Sequence, residues 1–290
     1  MSLLQGNILV DTEFLAANLA APSLRVFDCT THLRPDPQRV YVAENARAEF
    51  EAGHIPGAAY IDLQADLSDA KSQYRFTLPA PSEFAAAAGA LGIGDDRDVV
   101  LYSATAPMWA TRIWWMLRAM GFDRAAVLDG GLAKWKAEGR PLESGPHRYK
   151  TEKFTPAPRP HLVVNAAQVQ SAIGDGTTRI LNALSHGQHA GNPKSVHYGR
   201  PGHIAGSVCV PAMGLLREDG TLRETDDLRA SFEQAGVAAS DRIMTYCGGG
   251  IAATLEAFAL ALLGNKDVAV YDNSLSEWAA NPSLPMQTGD

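Results

Sequence analysis

The chain carries its own copy. GHIPGA at 53–58 recurs as GHIAGS at 202–207, ALGIGDDRDVVLY at 90–102 as QAGVAASDRIMTY at 234–246, and AVLDGGLAKW at 126–135 as AVYDNSLSEW at 269–278. The offsets are 149, 144 and 143 residues and the order is kept. One module of ordinary domain size therefore occurs twice, too few copies and too long a period for a solenoid. Whatever fold one half adopts, the other must adopt as well.

The 290 residues divide accordingly: a first domain over 1–145, a linker over 146–160 and a second domain over 161–290. The join falls in the segment 141–160, where five prolines and mixed charges replace apolar periodicity and predict a fairly stiff connection. Within each half, short β-branched runs alternate with helical patterns. The runs are LRVFD, DVVLY and AAVLD in the first half, and RILNAL, RIMTY and VAVYD in the second; SEFAAAAGAL and TLEAFALALL are helical. Strands apolar on both faces between helices predict an α/β fold, two similar domains each built on a parallel sheet flanked by helices.

TYCGGGIAAT at 245–254 places Cys247 between a strand pattern and a helix pattern, followed at once by three glycines. Three glycines at a strand-to-helix junction predict a loop that something approaches closely. A thiol attacks only as thiolate, and its ordinary pKa of about 8.5 leaves little of it at neutral pH. No Lys, Arg or His lies between Gly248 and Thr254. Stabilisation would have to come from main-chain N–H groups of 248–252 and the positive end of the following helix. Such a nest suits a thiolate and equally a persulfide, and points to covalent sulfur transfer. The alternative is a small buried hydrophobe, a common role for free cysteine.

The repeat supplies an internal control. The first copy reads YSATAPMWATRIWW, with Ser103 at the cysteine position, no glycine and one extra residue. A serine without a base is a poor nucleophile, so the first domain is expected to be catalytically inactive.

A net charge of −7 and the lack of any Lys/Arg run speak against a nucleic-acid or membrane partner. No apolar run reaches membrane-spanning length and the first residues lack a secretory pattern, which predicts a cytoplasmic protein. Cys29, Cys209 and Cys247 have neither CxxC spacing nor an even count, so reduced thiols are expected. Cys29 and Cys209 read as packed apolar side chains, and Trp114, Trp115, Trp135 and Trp278 as core. His54 and His203, matched in both halves, read as structural; Asp129 and Asp272 read as caps of the helices that follow them.

With these motifs in order, the whole chain resembles the tandem-domain rhodaneses, the thiosulfate and 3-mercaptopyruvate sulfurtransferases. The resemblance implies the rhodanese fold, and a loop of Cys247, Gly248, Gly249, Gly250, Ile251 and Ala252 wrapped around a persulfide. It also implies no metal or organic cofactor, and substrate entry between the domains. The substrates would be a small anionic sulfur donor, thiosulfate or 3-mercaptopyruvate, and a thiol, cyanide or protein acceptor.

Departures from the family pattern bear on the substrate. Thiosulfate-type members carry cations after the cysteine, and mercaptopyruvate-type members read CGSGVT, so Gly249 and Ala252 replace a serine and a threonine. That serine belongs to a serine-histidine-aspartate relay; Asp62 fits the aspartate, while Phe76 stands at the histidine. Leu184 and Gln188 stand at two family arginines and Asn182 at an aspartate. Arg200 is the evident guanidinium near GHIAGS. Together with Lys194, His186 and His197 it forms the candidate substrate-binding set, to which Ser274 is added from its place after a strand end. A competing reading is a non-catalytic sulfur carrier or protein-binding module. A phosphatase is disfavoured, because Ala253 stands where a CX5R loop has its arginine.

Overall fold

A computed structural model describes residues 2–36, 40–238, 242–265 and 267–289. Residues 239–241, within the repeated QAGVAASDRIMTY, lie outside it. The first half contributes β1 (Leu9–Val10), β2 (Leu24–Asp28), β3 (Thr31–Asp36), β4 (Val40–Asn45), β5 (Ala59–Tyr60), β6 (Asp98–Tyr102) and β7 (Ala125–Leu128). The second contributes β8 (Val163–Val164), β9 (Thr178–Asn182), β10 (His203–Ile204), β11 (Val208–Cys209), β12 (Arg242–Tyr246), β13 (Ala269–Tyr271) and β14 (Met286–Gln287).

Two five-stranded parallel sheets result, in the orders β1-β7-β6-β2-β5 and β8-β13-β12-β9-β11. Position for position, the second order is the first with every strand replaced by its copy. All five residues of DVVLY are buried, as are four of LRVFD, because helices cover both faces of the sheet. The fold class read from the alternation is the one observed. The antiparallel hairpin β3–β4, pairing Thr31 with Asn45 and Asp36 with Val40, is an addition of the first half.

The halves meet through corresponding helices, Met108–Ala119 and Ala252–Leu262. The Trp114 ring meets Phe258 edge-on at 4.8 Å. A shared core runs between the two sheets. The four tryptophans are buried as expected. His54 and His203 also take the structural role: each ring Nδ1 lies 2.8 Å from a main-chain carbonyl, of Phe50 and His189 respectively.

Asp129 and Asp272 do not cap the helices after them, which have no side-chain cap. Instead Asp129 accepts the Leu222 N–H at 2.9 Å, and Asp272 the Leu78 N–H at 2.7 Å. Both carboxylates reach the other half because the strand ends that carry them face the domain junction.

The proline-rich segment is held along the first domain rather than hanging between the two. Tyr149 donates to the Gly57 carbonyl at 2.6 Å, Glu152 accepts from Arg97 Nε at 3.0 Å, and Phe154 packs on Phe84. Its stiffness comes from docking as well as from proline. No described helix is long and apolar enough to cross a membrane.

Candidate active site

Strand β12 delivers Cys247, 2% exposed, to the head of the helix Ala252–Leu262. The loop between them hangs from the segment after β13. The Cys247 N–H donates to Ser274 Oγ at 3.0 Å, and Ser274 Oγ in turn donates to the Tyr271 carbonyl at 2.7 Å. The Cys247 carbonyl accepts from Leu275 N at 3.1 Å, and that of Gly248 from Ser276 N and Ser276 Oγ, both at 2.8 Å. The loop carbonyls are thus pulled outward. Among the described residues, no protein acceptor takes the main-chain N–H groups of Gly248, Gly249, Gly250 or Ile251. Unclaimed donors beside a sulfur at a helix N-terminus are what an anion needs.

Two of the three glycines are enforced by close approach. A Cβ on Gly248 would lie 1.9 Å from Cζ of Tyr198, and one on Gly250, at φ +75°, would lie 2.2 Å from the Asp272 carbonyl oxygen. Gly249 has only Ser276 Oγ nearby, at 3.6 Å.

The first half reaches under this loop. Arg112, fully buried, donates to the Gly250 carbonyl at 3.1 Å and to the Phe76 carbonyl, and stacks over Trp115 at 4.7 Å. Its Nη2 pairs with Asp272 Oδ1 at 2.6 Å, off the line of a hydrogen bond. One turn along the helix, Glu256 is wholly buried, and neither carboxyl oxygen has a hydrogen-bond partner among the described residues. Burial, and then the neighbouring Cys247 sulfur, push its carboxyl well above the usual range. In the first half, Ser103 stands buried where Cys247 would be, its Oγ 3.2 Å from Thr105 Oγ1.

Above the loop, a cavity of about 870 Å³ opens between the halves. Its walls include Cys247, Gly248, Gly249, Ile251 and Ala252 from the loop, Arg75 and Phe76 from the first half, and Tyr41 from the hairpin β3–β4. Leu184 and Gln188, at the two family arginine positions, also line it, and the Gln188 amide is already bonded to the Val196 carbonyl and Ser185. Among the described residues that line it, Arg75 is the one Arg, Lys or His.

None of the sequence-derived substrate set lines this cavity. The Arg200 guanidinium donates to the carbonyls of Ala279, Trp278, Asn281 and Leu284, tying down the C-terminal segment. Lys194 is exposed in a loop and His186 is exposed at the start of the short helix His186–His189, and His197 Nε2 lies 2.9 Å from the Asn192 carbonyl. Asp62 caps the short helix Leu63–Asp66 through the Ala65 N–H. Ser274 is at the site, as a support of the loop rather than a wall of the cavity. Asn182 bonds the His189 ring and the Leu184 N–H. Cys29 is buried and Cys209 half-buried, its Sγ 3.4 Å from the Leu184 carbonyl. No cluster of His, Cys, Asp or Glu among the described residues is placed to hold a metal ion.

Arg75, Arg112, Tyr198 and Glu256 were passed over in the sequence. A signal existed for two of them. Arg112 in WATRIWW and Glu256 in AATLEAFALALL are single charges in apolar helices, a pattern that demands a buried partner or a shifted pKa. Arg75 and Tyr198 look like ordinary loop residues until the halves are packed.

Comparison with known proteins places these features. The rhodanese-like domain family matches residues 11–138 and again residues 165–281. The chain is 34% identical over 301 residues to thiosulfate/3-mercaptopyruvate sulfurtransferase 1, mitochondrial, of Arabidopsis thaliana, covering 96% of this chain and 78% of that one. It is 34% identical over 279 residues to the 3-mercaptopyruvate sulfurtransferase of Escherichia coli K12, covering 96% and 97%. The crystal structure of the Escherichia coli 3-mercaptopyruvate sulfotransferase SseA matches with a TM-score of 0.81 at 33% identity, covering 93% of this chain and 99% of that one. A family match in each half of the internal repeat, and relatives matched nearly end to end, make this chain a member of the tandem-domain rhodanese family, the thiosulfate and 3-mercaptopyruvate sulfurtransferases.

Proposed function

We propose that Cys247 is the sulfur carrier of this sulfurtransferase. The thiolate attacks the outer sulfur of a small anionic donor; the donor's bond to that sulfur breaks, and its electron pair leaves with sulfite or pyruvate. Cys247 is left as Cys–S–S⁻. A thiol, cyanide or protein acceptor then attacks the terminal sulfur, and the electron pair of the S–S bond returns to Cys247 Sγ.

The observation that carries this reading is the group of unclaimed main-chain N–H donors at Gly248–Ile251, beside a buried cysteine at the floor of a cavity. Ser274 and Ser276 hold the loop from behind and Arg112 fixes the Gly250 carbonyl, so the donors stand in place before any sulfur arrives. Arg75, rather than Arg200, is the cation best placed to meet a donor carboxylate or sulfonate. A net charge of −7 fits small-molecule substrates and no nucleic-acid partner. A cytoplasmic location suits a cycle that needs reduced Cys247, and Cys29, Cys209 and Cys247 form no disulfide with one another.

The test is intact mass after separate incubation with thiosulfate and with 3-mercaptopyruvate, before and after cyanide, with Cys247→Ser alongside. One added sulfur that cyanide removes, absent from Cys247→Ser, is expected. A second reading, a carrier without turnover, is favoured by Leu184 and Gln188 standing where the family has arginines. One stoichiometric loading without repeated release of product would support it.

A further inference from the structure

The walls above Cys247 ask for more than a small anion. We propose that the sulfur acceptor of this enzyme carries an aromatic ring, in the class of arylalkyl thiols, and that Tyr198 is the residue that selects it. The inference rests on Cys247 as the sulfur carrier and adds the identity of what takes the sulfur.

A cavity of about 870 Å³ is of the size that holds drug-like molecules, several times more than a carboxylated two- or three-carbon donor fills. Four aromatic rings line it: Tyr41 and Tyr198 with centroids 6.3 Å apart, Tyr74, and Phe76 held buried against Trp109. Leu184 adds a half-buried aliphatic wall, and Met213 stands 56% exposed at its edge, an adaptable apolar group kept in contact with water. Against this stands Arg75 alone among basic side chains in the described lining. The surface therefore rewards a ring far more than a second charge.

The Tyr198 ring stands against the residue that follows Cys247. Its edge stands where a side chain on the residue after Cys247 would otherwise be, which is why that residue is glycine. Its hydroxyl has no protein hydrogen-bond partner among the described residues, and burial, followed by the nearby Cys247, pushes its ionisation upward, so it remains a neutral donor. An incoming thiol passes this ring to reach the loop. In the transfer, the sulfur of R–SH attacks the outer sulfur of Cys247–S–S⁻, the S–S bond breaks with its electron pair returning to Cys247 Sγ, Cys247 leaves as thiolate, and the thiol proton ends on the product R–S–SH.

The experiment loads Cys247 with inorganic polysulfide, removes the excess, and follows discharge by quenched intact mass. Benzyl mercaptan, ethanethiol and cyanide are compared at equal thiolate or cyanide concentration. Each thiol rate is divided by the cyanide rate of the same variant, so damage to the loop cancels. Ring contacts of about 0.5–1.5 kcal/mol each predict a benzyl-to-ethyl ratio of about tenfold in the wild type. The ratio should fall to near one in Tyr198→Ala and persist in Tyr198→Phe. A wild-type ratio near one, or a ratio untouched by Tyr198→Ala, overturns the proposal. Should the alanine variant fail to fold, benzyl alcohol should competitively slow wild-type discharge by ethanethiol while ethanol does not, and equal effects of the two alcohols would overturn it. If polysulfide adds no sulfur to Cys247, the carrier reading itself falls, a result distinct from a loaded enzyme that ignores the ring.

Discussion

Thr111 and Thr254 hold the same place in the two copies of the repeat, and their hydroxyl oxygens are 3.0 Å apart. A position meets its own copy only on a two-fold axis, so the halves pack as the protomers of a homodimer would, through one isologous interface. Two further contacts across the junction form a matching pair: Asp129 with the Leu222 N–H, and Asp272 with the Leu78 N–H. The symmetry ends at Arg112, whose counterpart in the second half is Leu255.

That asymmetry makes the two aspartates unequal. Asp129→Ala leaves a main-chain donor unmet and should lower stability by about 1–3 kcal/mol. Asp272→Ala also strands the buried Arg112 charge and should lower it by about 3–5 kcal/mol. Urea denaturation of both variants decides; equal losses would mean that the two carbonyls bound by Arg112 hold its charge without Asp272.

The three loop glycines should separate cleanly on substitution by alanine. Gly249→Ala meets nothing closer than 3.6 Å and should keep both fold and turnover. Gly248→Ala must displace the Tyr198 ring, so turnover should fall at least tenfold while the fold persists, with recovery when Tyr198→Ala is added. Gly250→Ala faces a main-chain oxygen at 2.2 Å and a left-handed backbone, and should destabilise by about 1–3 kcal/mol and lose activity. Thermal melts with a cyanide-discharge assay read all three.

Glu256 predicts a pH dependence of stability. Its folded carboxyl ionises well above the unfolded one, so the native state binds the extra proton across the interval between them. Stability from this group is present below the unfolded value, near pH 4.3, and declines as pH rises through the interval, by at most about 1.4 kcal/mol per pH unit. Glu256→Gln cannot ionise. The stability of this variant relative to wild type should therefore grow from pH 5 to pH 8, as measured by urea midpoints, and a difference flat across that range would refute the assignment.

Ser274 both accepts the Cys247 N–H and sits at φ +50°. Ser274→Ala keeps the backbone and leaves that buried N–H unmet, at about 1–3 kcal/mol of stability. Sulfur loading at Cys247 should also slow, since the loop loses one of its fixed points; loading at the wild-type rate would assign Ser274 to stability alone.

The repeat made the fold legible, because β-strand runs, helical patterns and the GHIPGA/GHIAGS turns are local properties and appeared twice in register. The cysteine loop was legible for another reason: Cys247 and its three glycines are contiguous. The cavity was not. Arg75, Tyr41 and Tyr198 come from separate segments, two of them from the half that lacks the cysteine, and only the packing of the halves brings them to one place. The polar cluster at 186–200 misled in the opposite way: Arg200 is near GHIAGS in sequence, but its guanidinium bonds the carbonyls of the C-terminal segment. Charge in a loop says little about direction until the acceptors around it are known.

The isologous interface also bears on how such a protein changes. The copy that carries Ser103 in place of the loop cysteine supplies Arg112 beneath the loop, Arg75 and Phe76 beside it, and Leu33, Val40 and Tyr41 of the hairpin β3–β4 to the cavity wall. The loop cysteine and much of the cavity wall thus sit on different stretches of one polypeptide. Substitutions in the first copy can reshape that wall while the cysteine loop of the second stays untouched.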